Sequence, residues 1–212
     1  MYPVSYEADF QSEQSRATTF FRIILAIPWI IVGYVYGIVA FFTHILAWLA
    51  IVIVGRYPQR LYTLNAGFVR YFVRTEAWIY LQTDEWPPFG ISDDTSYPIR
   101  VEVAPPAAHQ SRLKAFFRII LAIPMLIVSY AVNYVHQWIA VIAWLTIVFR
   151  GYLPTQLHTA MTFCNSFYAR VYGYLALLTD EYPPIGIEKG KGGGMAVAAP
   201  ASGDVPPAAP AV

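Results

Sequence analysis

Hydrophobic and polar residues follow three successive rhythms along the chain, and the whole succession is then repeated. The first rhythm is alternation. Tyr2, Val4, Tyr6, Ala8 and Phe10 are separated by Ser5, Glu7 and Asp9, and Tyr97, Ile99, Val101 and Val103 by Arg100 and Glu102. Period two marks a half-buried β-strand. Because a lone strand leaves its backbone groups unmatched, the two are expected to pair with each other. The second rhythm is an unbroken apolar run, over residues 23–54 and again over 119–149, without one Asp, Glu, Lys or Arg. The third, over about 59–82 and 155–178, is aromatic and amphipathic. Its first copy carries Arg60, Arg70, Arg74 and Glu76, whereas the second keeps only Arg170.

The repetition is a tandem duplication with a fixed offset of 96 residues. Phe20-Phe21-Arg22-Ile23-Ile24-Leu25-Ala26-Ile27-Pro28 returns unchanged from Phe116 to Pro124, and Thr83-Asp84-Glu85-Trp86-Pro87-Pro88 returns as Thr179-Asp180-Glu181-Tyr182-Pro183-Pro184. The expected domains are repeat 1 over residues 1–92, repeat 2 over 93–188, and a disordered Gly/Ala/Pro tail over 189–212.

One helix over residues 23–54 would be about 45 to 50 Å long, against a hydrocarbon thickness of ~30 Å, while two full spans would prefer ~20 residues each. Charge placement favours a hairpin. All 14 basic and all 13 acidic residues lie outside the two apolar cores, so a core that crosses and returns puts every Lys and Arg on one side, the cytoplasmic one. The expected turns are residues 33–44 and 129–137. The predicted fold class is therefore mainly α, a polytopic membrane protein of two tandem repeats. Each repeat has a short N-terminal β-strand, a transmembrane helical hairpin and an amphipathic interfacial helix, with both termini cytoplasmic. A shallow re-entrant hairpin, or spanning third segments, remain open alternatives. Ser15 and Ser111 are expected to cap the first helices, Arg22 and Arg118 to snorkel to phosphate level, and Pro28 and Pro124 to kink.

Composition supports an apolar solvent. Charged residues make up 13% of the chain, against ~25% in soluble domains, and mean hydropathy is +0.46. A net charge of +1 offers no field for nucleic acid. Cys164 is the only cysteine, which excludes an intramolecular disulfide.

Asp84-Glu85 and Asp180-Glu181 are candidate paired carboxylates for a metal or for proton transfer. The structural reading is stronger: Thr-Asp ends a helix, Pro87-Pro88 and Pro183-Pro184 prevent its continuation, and Trp86 or Tyr182 anchors the junction. Arg22, Arg118, Arg74 and Arg170 occur in both copies and are candidate contacts for anionic lipid headgroups. His44 and His136 fall near the expected turns without further metal-ligand spacing. No phosphate loop, nucleophile elbow or His-Glu-x-x-His occurs, and no ionisable Asp, Glu, Lys or Arg lies inside the apolar cores to relay protons. No metal, cofactor or catalytic residue is expected.

These motifs, together with the Tyr-Pro-Val and Tyr-Pro-Ile openings and Gly55-Arg56-Tyr57-Pro58, resemble a bacterial membrane family known as domain of unknown function 4389, in two copies covering residues 2–187. Repeat 2 departs at Arg150-Gly151-Tyr152-Leu153-Pro154, where a different junction shape is expected. The resemblance implies an integral protein of a bacterial cytoplasmic membrane and supplies no activity. The expectation is a non-catalytic accessory or scaffold protein, whose partners are the lipid bilayer and a membrane protein or a second copy. The alternative is a small passive transporter or anionic-lipid binder, with an Arg-lined cleft between the repeats.

Overall fold

Both alternating segments form strands, and they pair. In the computed structural model, which describes residues 2–186, β1 (Val4–Ala8) and β2 (Ile99–Val103) make an antiparallel two-stranded sheet. Tyr6 lies opposite Val101 at its centre. Those two positions are equivalent in the repeats at an offset of 95, one less than in the helices, so the sheet sits on the pseudo-twofold axis. Val4, Ile99 and Val101 are buried against helices, while Glu7 and Glu102 point outward. The tail expected to be disordered lies outside the described residues.

The helices follow as α1 (Arg16–Leu25), α2 (Ile27–Val54), α3 (Gln59–Ile79), α4 (Arg112–Phe116), α5 (Arg118–Arg150) and α6 (Thr155–Leu175). Ser15 and Ser111 do cap α1 and α4, each accepting from a backbone N–H three residues on. The chain is interrupted at Ala26, two residues before Pro28. In repeat 2 the break falls earlier, at Phe117, and Pro124 is carried inside α5.

The apolar cores are not hairpins. Residues 33–44 lie within the single helix α2 and 129–137 within α5. Neither segment contains a proline or a turn-forming polar pair. Helical bonding satisfies every backbone group there, and Gly33 and Gly37 cost a helix interior only about 1 kcal/mol each. The antiparallel return is made instead by the third segment. Along α2 and α3, Thr43 meets Asn65, Tyr36 meets Phe68, and the Tyr71 hydroxyl donates to the Trp29 carbonyl.

Two further expectations change. The junctions after α2 and α5 have the same shape despite their different sequences, since Gly55 and Gly151 adopt φ of +75° and +80° and cap their helices identically. A Cβ there would also lie 3.0 Å from Nε of Arg112 or Arg16, each from the other repeat. Second, α3 and α6 are not peripheral interfacial helices. They are the middle layer, buried on most sides and packed against each other.

At 100° per residue, the α3 residues that meet the sheet, Arg70 and Arg74, point about 140° away from those that meet α2, Asn65, Phe68 and Tyr71. The order is therefore sheet, then α3 with α6, then the long helices. The long helices are buried most deeply along one seam of Arg22, Ala26, Trp29, Gly33, Ala40, Ala47 and Ile51, repeated in Arg118, Ala122, Met125, Ser129, His136, Ala143 and Ile147. Steps of three, four and seven residues are those of a coiled-coil seam, and its small side chains admit close backbone approach. Most of the remaining large apolar side chains on these helices face out: Ile23 is 82% exposed, Ile119 80% and Phe149 72%.

Candidate functional site

The twinned polar motifs converge on two equivalent clamps. At the end of α3, Leu81 takes a left-handed φ of +67°, as does its counterpart Leu177 at +62°. The Gln82 N–H bonds back to the Ala77 carbonyl, which turns the chain sharply. Burying each leucine side chain offsets the strain of that conformation. The turn returns Thr83-Asp84 to α1, where Arg22 Nη1 donates to the Thr83 carbonyl at 3.1 Å and Nη2 to Asp84 Oδ1 at 3.0 Å. Asp84 also accepts from the Ser15 N–H and the Thr18 hydroxyl. In repeat 2, Arg118 makes the same bonds to the Thr179 carbonyl (2.8 Å) and Asp180 (3.0 Å), and Asp180 accepts from the Ser111 N–H. Each guanidinium lies over an aromatic ring, Trp78 at 4.5 Å or Tyr174 at 4.1 Å.

Arg22 and Arg118 are 2% and 4% exposed. They do not snorkel, because the clamp offers a counter-charge and a carbonyl that a headgroup would otherwise have to supply. Arg74 and Arg170 likewise turn inward. Arg74 donates to the carbonyls of Ile99, Ser92 and Asp94, and Arg170 to those of Ser166 and Gly186, so each ties down the loop that follows a Pro-Pro pair. The cavity between α2 and α3 described below is lined by none of the four.

The adjacent carboxylates diverge. Asp84 faces Arg22, whereas Glu85 accepts from Gln11 Nε2, and the Glu85 and Glu181 carbonyls accept from Tyr97 and Tyr2, each tyrosine belonging to the other repeat. Pro87 and Pro183 are buried, Pro88 and Pro184 half-buried. The Pro87 carbonyl accepts from Trp29 Nε1 at 2.7 Å. Among the described residues no three His, Cys, Asp or Glu side chains are grouped to hold a metal. His136 is buried and stacks on Tyr80 with ring centroids 4.0 Å apart, while His44 bonds its own helix at Ala40. Cys164 is buried.

On the outer face of the sheet, Arg100 holds Asp9 through two bonds of 2.7 and 2.8 Å, which lowers the Asp9 carboxyl below the usual range and raises the guanidinium. Burial raises the Tyr97 hydroxyl.

Three features were not anticipated from the sequence. Gln82 Oε1 accepts from both Tyr6 and Asn165 between the repeats. Trp29 joins Trp78, Trp86 and Phe89 in one aromatic cluster. Glu76 meets its own repeat counterpart, Tyr172, across the axis at 3.0 Å. The signal available for the last two was their place in the apolar and amphipathic segments, where Glu76 is the one acidic residue.

A family described as "Domain of unknown function (DUF4389)" matches the chain twice, over residues 16–90 and 112–185. No curated protein and no solved structure matches it.

Proposed function

The chain belongs to the family of unknown function DUF4389, in two tandem copies, and from this premise we propose that it is a non-catalytic accessory or scaffold protein embedded in a bacterial cytoplasmic membrane by the face that α1–α2 and α4–α5 form. The observation that carries this reading is the division of the surface. Two helices are long and apolar enough to cross a membrane and expose large apolar side chains over much of their length, while the twinned polar motifs are occupied by bonds within the chain. An exposed apolar surface of that extent needs an apolar solvent, and no constellation of reactive groups stands free at the clamps.

The layering favours helices lying in the membrane plane over helices crossing it. β2 runs beside α3 from the level of Arg74 to that of Tyr62, opposite α2. If α2 crossed, the sheet would be immersed with Glu7, Asp9, Arg100 and Glu102, each costing at least ~2.5 kcal/mol near the bilayer centre. A helix about 10 Å across fits within one leaflet, and all charged residues then stay on one side. Nitroxides at Ile31, Ile38 and Ile45, three exposed positions on one stripe of α2, test this in a Cys164→Ser background. Equal depths in liposomes are the expected result. A change of about 10 Å per step would mean that α2 crosses.

For the accessory role, native mass spectrometry on protein extracted gently from its host membrane should find a stoichiometric protein partner. The chain arriving alone would count against it.

A further inference from the structure

A cavity of about 790 Å³ opens between α2 and α3 in repeat 1, within the range of small-molecule sites. Gly33 and Gly37 line it one turn apart on α2, where an added Cβ would come within 4 Å of the Tyr71 or Phe72 rings. The equivalent positions in repeat 2 are Ser129 and Asn133. Its walls are mostly apolar and aromatic, with Tyr34 and Tyr71 among them, and Glu76 is one of its lining residues. Glu76 accepts one hydrogen bond, from the Tyr172 hydroxyl, and no Lys, Arg or His among the described residues pairs with it. By contrast, Arg22, Arg118 and Arg74 each have a carboxylate within 4 Å. A carboxylate in an apolar recess without a counter-charge is costly to keep, and surrounding π-faces favour a cation.

We propose that this cavity binds an organic cation with an apolar body, a hydrophobic amine whose ammonium group pairs with Glu76 while its hydrocarbon lies along Gly33 and Gly37. The charge complementarity resides in one repeat only, because Tyr172 replaces the carboxylate at the symmetry-related position. The duplication has thus kept the clamps twice and the carboxylate once. The inference does not depend on how the protein sits in its membrane.

The test is isothermal titration of the full chain in dodecylmaltoside with octylamine and with octanol, which share a tail and differ in charge. Octylamine should bind roughly tenfold or more tightly than octanol, and Glu76→Gln, which keeps an acceptor for Tyr172, should abolish that preference. Gly37→Leu fills the cavity without touching the carboxyl and should remove octylamine binding. Equal binding of the two probes would mean that the cavity takes neutral chains, such as lipid tails, and would overturn the proposal. So would an unchanged preference in Glu76→Gln, or full octylamine binding in Gly37→Leu.

Discussion

Asp84→Asn is expected to destabilise the protein by about 3 kcal/mol, the low end of the range for breaking a buried ion pair from one side. Arg22 is sealed from water, with its side chain 3% exposed, whereas that of Asp84 is 25% exposed. The substitution therefore strands a positive charge in a site that water reaches only from the aspartate's side. It also turns an amide N–H₂ toward the Ser15 N–H or toward the Thr18 and Arg22 donors, since asparagine cannot accept from all of them as a carboxylate does. Asp180→Asn should cost a similar amount, because the second clamp has the same ion pair, backbone N–H bond and burial, with Lys114 in place of Thr18. Unfolding of the purified protein in mixed micelles, followed by far-ultraviolet circular dichroism, measures both. Adding Arg22→Met to Asp84→Asn should recover part of the loss, as removal of the stranded charge predicts. No recovery would show that the carboxylate matters chiefly as a cap for α1.

Trp29→Ala is the second large effect, expected at about 3–5 kcal/mol. The indole stacks on Phe89 at 4.6 Å and on Trp86 at 5.0 Å, and it donates to the Pro87 carbonyl. Its removal leaves a void and an unpaired buried acceptor together. The equivalent Met125 packs in the cluster of Phe167 and Tyr174 and carries no hydrogen bond. Met125→Ala should therefore cost less, toward the ~2 kcal/mol end for such truncations. Equal losses at the two positions would contradict the idea that the Pro-Pro loop of repeat 1 is held chiefly through Trp29.

Much of the architecture is legible in individual residues. Alternation at Tyr2 to Phe10 and Tyr97 to Val103 marks both strands, Ser15 and Ser111 mark two helix starts, and Gly55 and Gly151 mark two ends. The structural reading of Thr-Asp-Glu-Trp/Tyr-Pro-Pro is also available in the sequence, because Pro-Pro cannot continue a helix. The clamp that Arg22 and Arg118 make is not, since Asp84 and Asp180 lie 62 residues further on. Nothing in a nine-residue frame tells whether a snorkelling arginine or a clamped one is being built.

The sequence by itself determined the duplication, the strand pair, the apolar long helices and the helix caps, because each depends on neighbours within a few turns. Tertiary structure alone decided that each apolar core is one helix returning along α3 or α6, that the sheet and the apolar face lie on opposite sides, and that a carboxylate stands unmatched in repeat 1. The physical reason is that periodicity reports how much of an element avoids water, but not whether protein or lipid replaces it. In α2, the seam and the outward face are both apolar. Only the partner helix distinguishes them.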